Sequence, residues 1–441
     1  MDSHCVIDDD ASSGGRACAD GGIVDSGPST QVDDWILSEL SGVDDSNLRL
    51  LAVGDFDGDK HVDVIAESYR PDGGSARIAV QLYFGQGNGS FDSPQKIADF
   101  PSTDFVYAQP PAARDIDYDG KDDLFVSTGS EVEILPGSAI SANTLARETL
   151  AVGGKDGYTV PHALPYDFND DGKLDLLLDV DGSLFNDIYY VINTSTAGHL
   201  EFGDIGKVTI AEPIFPVPDG LQYQKVLAGI GGACGNRCEM PFFVCWFPGG
   251  EDYVTTGVLM IKKDSGSSFS AYYFSTVVVF RFDLIPFTNG LAGMIGNRGN
   301  WTGEFTKLGV LDFSHIDLTA PQKQLEQVPL RSMISLPGRY WESVSVPGGV
   351  FSGDNPAEIA FLLAGSAPFP TKLVVLNPDG EMLYEIDSGD DKRKYLPADI
   401  GNAHIVDIDE DGWNDMVFTD NDHGTVRILL NRLREAGEPL K

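Results

Sequence analysis

The chain has little positive charge. Its 441 residues include 30 Lys and Arg against 68 Asp and Glu, which gives a formal net charge of -38 at pH 7. A nucleic-acid-binding surface needs a basic face, so this composition argues against a nucleic-acid partner. The same excess of acid disfavours anionic membrane surfaces unless a bound cation bridges to them, and it favours solubility.

Long apolar runs and catalytic motifs are also missing. No run is long enough to span a bilayer, so we expect no transmembrane segment. The opening "MDSHCVIDDD" does not resemble a signal peptide, and an exported form would therefore have lost its leader. The sequence contains no Gly-x-Ser-x-Gly elbow, no phosphate-binding loop and no His-rich zinc motif. These absences favour a protein that is not an enzyme.

Cysteine is scarce and its count is odd, which fits no complete disulfide framework. The five residues are Cys5, Cys18, Cys234, Cys238 and Cys245. Cys234 and Cys238 flank "GNR", which makes a small disulfide loop plausible and favours an exported setting.

Four acidic stretches of nine residues stand out. They are "DFDGDKHVD" from Asp55, "DIDYDGKDD" from Asp115, "DFNDDGKLD" from Asp167 and "DIDEDGWND" from Asp407. Oxygen-bearing side chains fall at relative positions 1, 3, 5 and 9 in all four. Carboxylates this close repel one another, so the pattern predicts a cation among them.

The spacing suits Ca²⁺, which takes six to eight oxygen ligands at flexible geometry. Position 7 would contribute its backbone carbonyl, which leaves its side chain free to vary, and Gly at position 6 allows a tight bend that Lys60 replaces in the first loop. Position 12 lies in strand-like sequence and carries no Glu, which excludes an EF-hand. We expect about four structural Ca²⁺ ions, held by Asp55, Asp57, Asp59, His61, Asp63, Asp115, Asp117, Asp119, Lys121, Asp123, Asp167, Asn169, Asp171, Lys173, Asp175, Asp407, Asp409, Asp411, Trp413 and Asp415.

The rest of the sequence predicts a repeated antiparallel sheet. Residues 1–33 are rich in Ser, Asp and Gly and are expected to form a flexible tail. In residues 34–441, short apolar runs surround each acidic loop, and units without a full loop are expected near Val226, Leu291 and Val344. Seven four-stranded units predict an all-β, seven-bladed β-propeller. The run from Trp35 to Leu40 is expected to complete the last blade beside Thr425–Leu430 and to close the ring.

In its four acidic loops the chain resembles the FG-GAP/VCBS repeat family, whose calcium loops have the same spacing. This family includes the integrin α-subunit propeller. The resemblance covers about residues 34–431. It implies that each loop joins the innermost strand of a blade to the second strand, that the loops share one face of the disc, and that ligands bind on the opposite face. Three units lack the metal pattern, which leaves metal in those blades in doubt.

The resulting hypothesis is a secreted or cell-surface recognition module of the adhesion type, tethered through its tail, monomeric, and binding a glycan or a protein without catalysis. One alternative is a polysaccharide lyase that uses Tyr158 and His162; another is a structural module of a surface assembly. The segments that enter the innermost strands are expected to carry the ligand-binding residues, which are Tyr107, Gln109, Tyr158, His162, Tyr223, Tyr340, Trp341 and His404. Any one of them can instead simply pack between blades.

Overall fold

The structure is a computed structural model. It describes residues 35–40, 47–70, 77–101, 113–128, 131–142, 148–151, 162–169, 171–179, 187–209, 224–232, 239–249, 252–263, 269–276, 281–284, 291–297, 305–312, 326–328, 330–337, 340–349, 358–365, 371–387 and 396–432. The predicted tail and the predicted disulfide between Cys234 and Cys238 lie outside these residues.

The described chain is all-β apart from one short helix, α1 (Gly137–Ser141). Its strands form seven sheets, which we number in chain order. No helix within the described ranges has the length and apolar character that a membrane crossing requires.

The first three sheets are antiparallel, and each consists of four consecutive strands. Sheet 1 contains β2 (Leu48–Gly54), β3 (Asp63–Arg70), β4 (Arg77–Tyr83) and β5 (Gln95–Pro101). Sheet 2 contains β6 (Ala113–Arg114), β7 (Asp123–Thr128), β8 (Glu131–Leu135) and β9 (Glu148–Ala151). Sheet 3 contains β10 (His162–Tyr166), β11 (Asp175–Asp179), β12 (Asp187–Asn193) and β13 (Phe202–Thr209).

Three of the remaining four sheets are also four-stranded and antiparallel. Sheet 4 is the exception, with five strands: β14 (Gln224–Gly232), β15 (Glu239–Gly249), β16 (Asp252–Lys263), β17 (Phe269–Thr276) and β21 (Glu326–Val328). Sheet 5 contains β18 (Arg281–Leu284), β19 (Leu291–Asn297), β20 (Phe305–Asp312) and β22 (Leu330–Pro337). Sheet 6 contains β23 (Tyr340–Gly349), β24 (Glu358–Gly365), β25 (Lys372–Leu376) and β26 (Met382–Asp387). Sheet 7 contains β27 (Ile400–Val406), β28 (Asp415–Asp420), β29 (Thr425–Asn431) and β1 (Trp35–Leu40).

Two features of the middle sheets differ from the sequence-based expectation. The unit predicted to start near Leu291 starts earlier, because Leu291–Asn297 is the second strand of sheet 5 and pairs with Arg281–Leu284. Sheet 4 has a fifth strand, Glu326–Val328, which pairs in parallel with the end of β17. The starts predicted near Val226 and Val344 fall in the first strands of sheets 4 and 6.

Several second strands contain unbroken apolar runs because neighbouring sheets cover both of their faces. In β3, Val64 packs in the core shared with sheet 7, whereas Ile65 packs in the core shared with sheet 2. In β24, Phe361 faces sheet 5 and Leu362 faces sheet 7. Since side chains alternate along a strand, a run such as "VIA" or "LFV" supplies apolar groups to two cores at once.

The sheets therefore pack face to face in a regular order. Apolar cores join sheet 1 to sheet 2, sheet 2 to sheet 3, sheet 5 to sheet 6, and sheet 6 to sheet 7. A further core joins sheet 7 to sheet 1, where Leu50 and Val64 meet Val417 and Ile428. Residues that are far apart in sequence thus share one core, and the two ends of the repeat region lie side by side.

The N-terminal strand completes sheet 7, as predicted. Trp35 pairs with Asn431, and the antiparallel register continues to Leu40 and Val426. Trp35 is buried between sheets 6 and 7, and its indole Nε1–H donates a hydrogen bond of 2.8 Å to the hydroxyl of Tyr384.

An ion network holds the other end of the same strand pair. The guanidinium of Arg427 lies 3.1 Å from Glu39 Oε1 and 2.7 Å from the fully buried Asp420 Oδ2. Glu39 and Arg427 are also register partners, so the ion pair reinforces the hydrogen-bonded ladder between β1 and β29.

This arrangement predicts that Trp35 anchors the strand. Trp35→Ala should lower the free energy of unfolding by about 3–5 kcal/mol, because a large buried aromatic side chain leaves a cavity. Ile36→Ala is the matched control: its side chain is 46% exposed, and a change of about 0.5 kcal/mol or less is expected. Chemical denaturation of the two variants measures the difference. Equal losses would mean that Trp35 does not anchor the strand.

Candidate metal centres

Each acidic stretch forms the loop of a hairpin between the first and second strands of its sheet. Loop 1 (55–63), loop 2 (115–123), loop 3 (167–175) and loop 4 (407–415) join β2 to β3, β6 to β7, β10 to β11 and β27 to β28. In every case the residue before the loop pairs with position 9: Gly54 with Asp63, Arg114 with Asp123, Tyr166 with Asp175 and Val406 with Asp415. The four loops therefore share one frame.

The aspartate at position 9 holds that frame together. In loop 1, Asp63 Oδ2 accepts the N–H of Phe56 at 2.9 Å, and Asp63 Oδ1 accepts the N–H of Gly85, just past the third strand, at 2.8 Å. Asp123, Asp175 and Asp415 make the same two bonds. All four carboxylates are fully buried. One side chain thus ties the loop and the third strand to the start of the second strand.

Position 2 supplies an apolar anchor that the sequence analysis missed. Its residues are Phe56, Ile116, Phe168 and Ile408, each exposed by 2% or less. The side chain enters the core between sheets, while the backbone N–H of the same residue binds the position-9 carboxylate. The signal was present, since position 2 is Phe or Ile in every loop.

Position 1 bends the loop onto itself. Its carboxylate accepts the N–H of position 6, at distances of 2.9 to 3.0 Å in the four loops. Position 6 has a positive φ in each loop, which Gly adopts without strain. Lys60 adopts it too, at φ 77°, and loop 1 instead has a Gly at position 4, where Gly58 has φ 83°.

The carboxylate at position 5 accepts the N–H of position 7, at 2.8 to 2.9 Å in all four loops. The side chains at position 7 make other contacts. Lys121 Nζ donates to Ser141 Oγ at 2.8 Å, and Lys173 Nζ donates to the carbonyl of Ser195 at 2.6 Å. The role of the position-7 residues toward a metal, through the backbone carbonyl, stays a prediction.

The carboxylates at positions 1, 3 and 9 converge in three of the loops. In each triad, one oxygen per residue lies within 4.8 Å of the others. The triads are Asp55, Asp57 and Asp63; Asp115, Asp117 and Asp123; and Asp407, Asp409 and Asp415. In loop 3 the amide of Asn169 takes the place of the position-3 carboxylate.

The donors fit a hard cation. Every candidate side-chain donor is an oxygen, and the four position-7 residues belong to the set only through their backbone carbonyls. Oxygen donors favour Ca²⁺ or Mg²⁺ over Zn²⁺. In loop 4, Asp407 Oδ1 and Asp409 Oδ1 are buried without a hydrogen-bond partner. Buried carboxylate oxygens without a partner are costly, and a metal ion would satisfy them.

Burial raises the pKa of the position-9 aspartates. The pKa is about 7 for Asp63, Asp123 and Asp415 and about 6 for Asp175, with the neighbouring carboxylates adding to the effect and the backbone N–H bonds opposing it. A bound cation would favour the ionised form of the same groups.

The four loops lie next to one another in a row. His61 of loop 1 contacts Glu410 of loop 4 through an ion pair. Loop 2 binds loop 1 twice, because Asp122 Oδ2 accepts the N–H of Asp55 at 2.9 Å and the carbonyl of Asp55 accepts the N–H of Asp122 at 2.7 Å. Tyr118 of loop 2 hydrogen-bonds the N–H of Leu174 in loop 3. The loops therefore share one side of the molecule.

Most of the predicted ligand-binding residues cannot be placed as side chains. Tyr107, Gln109, Tyr158 and Tyr223 lie outside the described residues. His162 is the first residue of β10, and Tyr340 and Trp341 begin β23. These three backbone positions lie at the starts of first strands, as predicted, and their role stays a prediction.

His404 differs from the expectation. It lies inside β27, paired with Val417 and three residues before loop 4, and not in the segment that enters the strand. Its Nε2 is buried without a hydrogen-bond partner, and burial lowers the pKa of His404 to about 4, with the charge of Arg114 adding to the effect.

Comparison with protein families gives one match. Residues 55–126 match the sequence model of the FG-GAP-like repeat. This confirms the resemblance for loops 1 and 2 and the strands between them. A search of curated proteins found no match.

Comparison with solved structures gives distant similarities. The β-propeller domain of Nup133 from Vanderwaltozyma polyspora aligns over 87% of this chain and 99% of its own, with 8% identity and a TM-score of 0.42. A mutant of the apocarotenoid oxygenase of Synechocystis aligns over 92% of this chain and 90% of its own, with 12% identity and a TM-score of 0.38.

The pKa values predict opposite pH dependences with and without metal. In metal-free protein, the four position-9 carboxyls have a higher pKa folded than the about 3.9 of an unfolded Asp, so the folded state binds more protons between about pH 4 and 7. Stability should fall as the pH rises through that window. His404 opposes this below its unfolded pKa of about 6.5, but it is one group against four.

With saturating calcium, stability should instead rise with pH over the same range, because protons compete with the metal for ionised ligands. The measurement is the melting temperature of metal-stripped and calcium-loaded protein between pH 5 and 8. Slopes of the same sign in both series would contradict the prediction.

Proposed function

We propose that the seven sheets are the blades of a closed β-propeller. The cores that join sheets 5, 6, 7, 1, 2 and 3 in that order support this. Strand β14 of sheet 4 lies beside β10 of sheet 3, and β16 lies beside β18 of sheet 5, which supports a place for sheet 4 in the remaining gap. A closed ring leaves no sheet face uncovered and needs no capping unit.

The four loops of this propeller bind calcium as a structural ion. The support is the shared frame of buried position-9 aspartates, with three carboxylate triads and an all-oxygen donor set. Ca²⁺ is favoured over Mg²⁺ because Mg²⁺ demands near-ideal octahedral geometry and retains more water. The ions would offset the repulsion among carboxylates that the fold holds close together.

Removing calcium should therefore lower the melting temperature. Each site adds about 2.7 kcal/mol of stability when free calcium is about 100 times its dissociation constant. Metal analysis of the full chain should find about four ions, and excess EGTA should remove them and lower the melting temperature. Absence of bound metal together with an unchanged melting curve would contradict the proposal.

A matched pair of variants in loop 2 tests the ligand set. Asp117→Asn copies the Asn169 of loop 3 and should keep the ion, because the amide oxygen remains a donor. Asp117→Ala removes the donor and should lower the metal content by one ion per chain. The full number of ions in both variants would exclude Asp117 as a ligand.

The propeller acts as an exported, monomeric recognition module that binds a glycan or a protein without catalysing a reaction. The observation that carries this proposal is the shared frame: every loop follows the end of a first strand, so the starts of the same strands lie away from the loops. Among them is His162 at the start of β10. Tyr340 and Trp341 begin β23, which is also the first strand of its sheet although no acidic loop follows it, and we place them on the same far side of the disc. Aromatic and His side chains there offer flat faces for sugars or side chains, together with polar groups that orient them.

A triple substitution tests this site. Tyr158, His162 and Trp341 changed together to Ala should abolish binding to a ligand found on a glycan array or a panel of extracellular proteins. Calcium content and melting temperature should stay nearly unchanged. His199→Ala is the control, because His199 is exposed next to Gly198, whose N–H binds the carbonyl of Asp117 in loop 2. Binding that survives the triple change, or a loss accompanied by unfolding, would refute the assignment.

A further inference from the structure

Among the described residues, loop 4 has a charged neighbour that has no counterpart at the same position of the other three loops. Arg432 follows Asn431, whose backbone N–H binds the position-9 carboxylate of Asp415 at 2.7 Å. Its guanidinium spans two candidate metal ligands, with Nη2 lying 2.6 Å from Asp409 Oδ2 and Nη1 lying 3.3 Å from Asp411 Oδ2. The positive charge of the arginine therefore lies next to the carboxylates of positions 3 and 5.

The contact is largely withdrawn from solvent. The side chain of Arg432 is 16% exposed, that of Asp409 is 4% exposed and that of Asp411 is 28% exposed. A charge pair in this setting is screened less than one on the surface, so the arginine competes effectively for the two carboxylates. Asp407 Oδ1 and both carboxylate oxygens of Asp409 are buried without a hydrogen-bond partner, so the contact of Arg432 with Asp409 Oδ2 is an ion pair only and leaves loop 4 incompletely satisfied.

The equivalent position in the other loops is uncharged. The residue after the N–H donor to position 9 is Gln86 in loop 1, Ser138 in loop 2 and Thr194 in loop 3, and all three are exposed. The loops share their frame, so this position is comparable across the set. Arg432 is therefore a feature of loop 4 that is added to a common site.

We propose that Arg432 is a built-in competitor of the metal at loop 4, so that this loop binds calcium more weakly than the others and fills last. The inference rests on the proposed calcium binding. The guanidinium occupies Asp409 Oδ2 and Asp411 Oδ2, and its positive charge repels a cation that approaches the remaining oxygens, so full binding of the ion favours departure of the arginine. The apparent dissociation constant is then the intrinsic one divided by the fraction of molecules in which the arginine has left the loop.

The position-7 residue of loop 4 provides a local reporter. Trp413 is the one Trp in the four loops, and its backbone N–H donates a hydrogen bond of 2.8 Å to Asp411 Oδ1. Tb³⁺ replaces Ca²⁺ at oxygen-rich sites and luminesces when a nearby indole transfers energy to it. Titrating the metal-stripped full chain with Tb³⁺ under Trp excitation therefore follows loop 4, and Trp413→Phe, which keeps the backbone carbonyl, should remove the signal. Total calcium measured by equilibrium dialysis counts the remaining loops.

The key variant is Arg432→Gln, which copies the neutral Gln86 of loop 1. It should lower the metal concentration for half-saturation of loop 4 by about ten-fold, the change expected if the arginine-bound form is about ten times as populated as the open form. Arg432→Lys keeps the charge but lacks the planar fork, so it should give a smaller gain. The reverse transfer, Gln86→Arg, should weaken loop 1 when that loop carries His61→Trp as its reporter.

The outcomes separate the two proposals. A half-saturation concentration that is unchanged or higher in Arg432→Gln would overturn the competitor role and make Arg432 a partner that holds the ligands in place. Three calcium ions per chain without any Tb³⁺ signal from loop 4 in any variant would overturn the inference and leave calcium binding by the other loops intact. Absence of metal from every loop would refute the calcium proposal itself, and the inference with it. The melting temperature of each variant shows whether it is folded.

Discussion

Each acidic loop depends on one buried carboxylate. The aspartate at position 9 has both oxygens occupied by backbone N–H groups, one from the loop and one from the end of the third strand. Because the group is fully buried, losing either bond would leave an unsatisfied polar atom in the core. The hairpin, the apolar anchor at position 2 and the third strand are therefore fixed relative to one another by a single side chain.

That constraint also explains why the loops stay acidic. The fold keeps an aspartate buried for its hydrogen bonds, and burial alone pushes its pKa toward neutrality. Adding carboxylates at positions 1 and 3 raises the repulsion further unless a cation is present. The loop geometry and the repulsion that a cation would relieve are thus two results of one arrangement.

The features of the fold that local sequence patterns encode were predicted correctly. The loop positions 1, 3, 5 and 9, the bend at position 6 and the strand from Trp35 to Leu40 all follow from short-range signals, because side-chain period and turn chemistry are local properties. Continuous runs such as "LFV" also indicated buried strands. The start of sheet 5 was missed because Arg281–Leu284 has only four residues, too few for its alternation of polar and apolar side chains to indicate a strand.

The features that the sequence did not predict depend on contacts between residues that are far apart in the chain. Nothing near Asp63 in sequence indicates that Gly85 will donate to its second oxygen, although the same pairing recurs in each loop. The contact of Asp122 with loop 1 and that of Arg432 with Asp409 and Asp411 join elements whose proximity follows from sheet packing. The parallel pairing of Glu326–Val328 with β17 likewise depends on the arrangement of the sheets, which no local sequence pattern specifies.

The register of sheet 7 has a mechanical consequence. Trp35 and Asn431 face each other at the same end of the β1–β29 pair, so the chain enters and leaves the fold side by side. A force that pulled the two ends apart would load the hydrogen bonds one after another, beginning with that pair, and would not shear them together. The buried indole of Trp35 lies at the first bond to be loaded, and the Glu39–Arg427 ion pair lies near the last. Resistance to such a pull would therefore come mainly from withdrawing one tryptophan from its core.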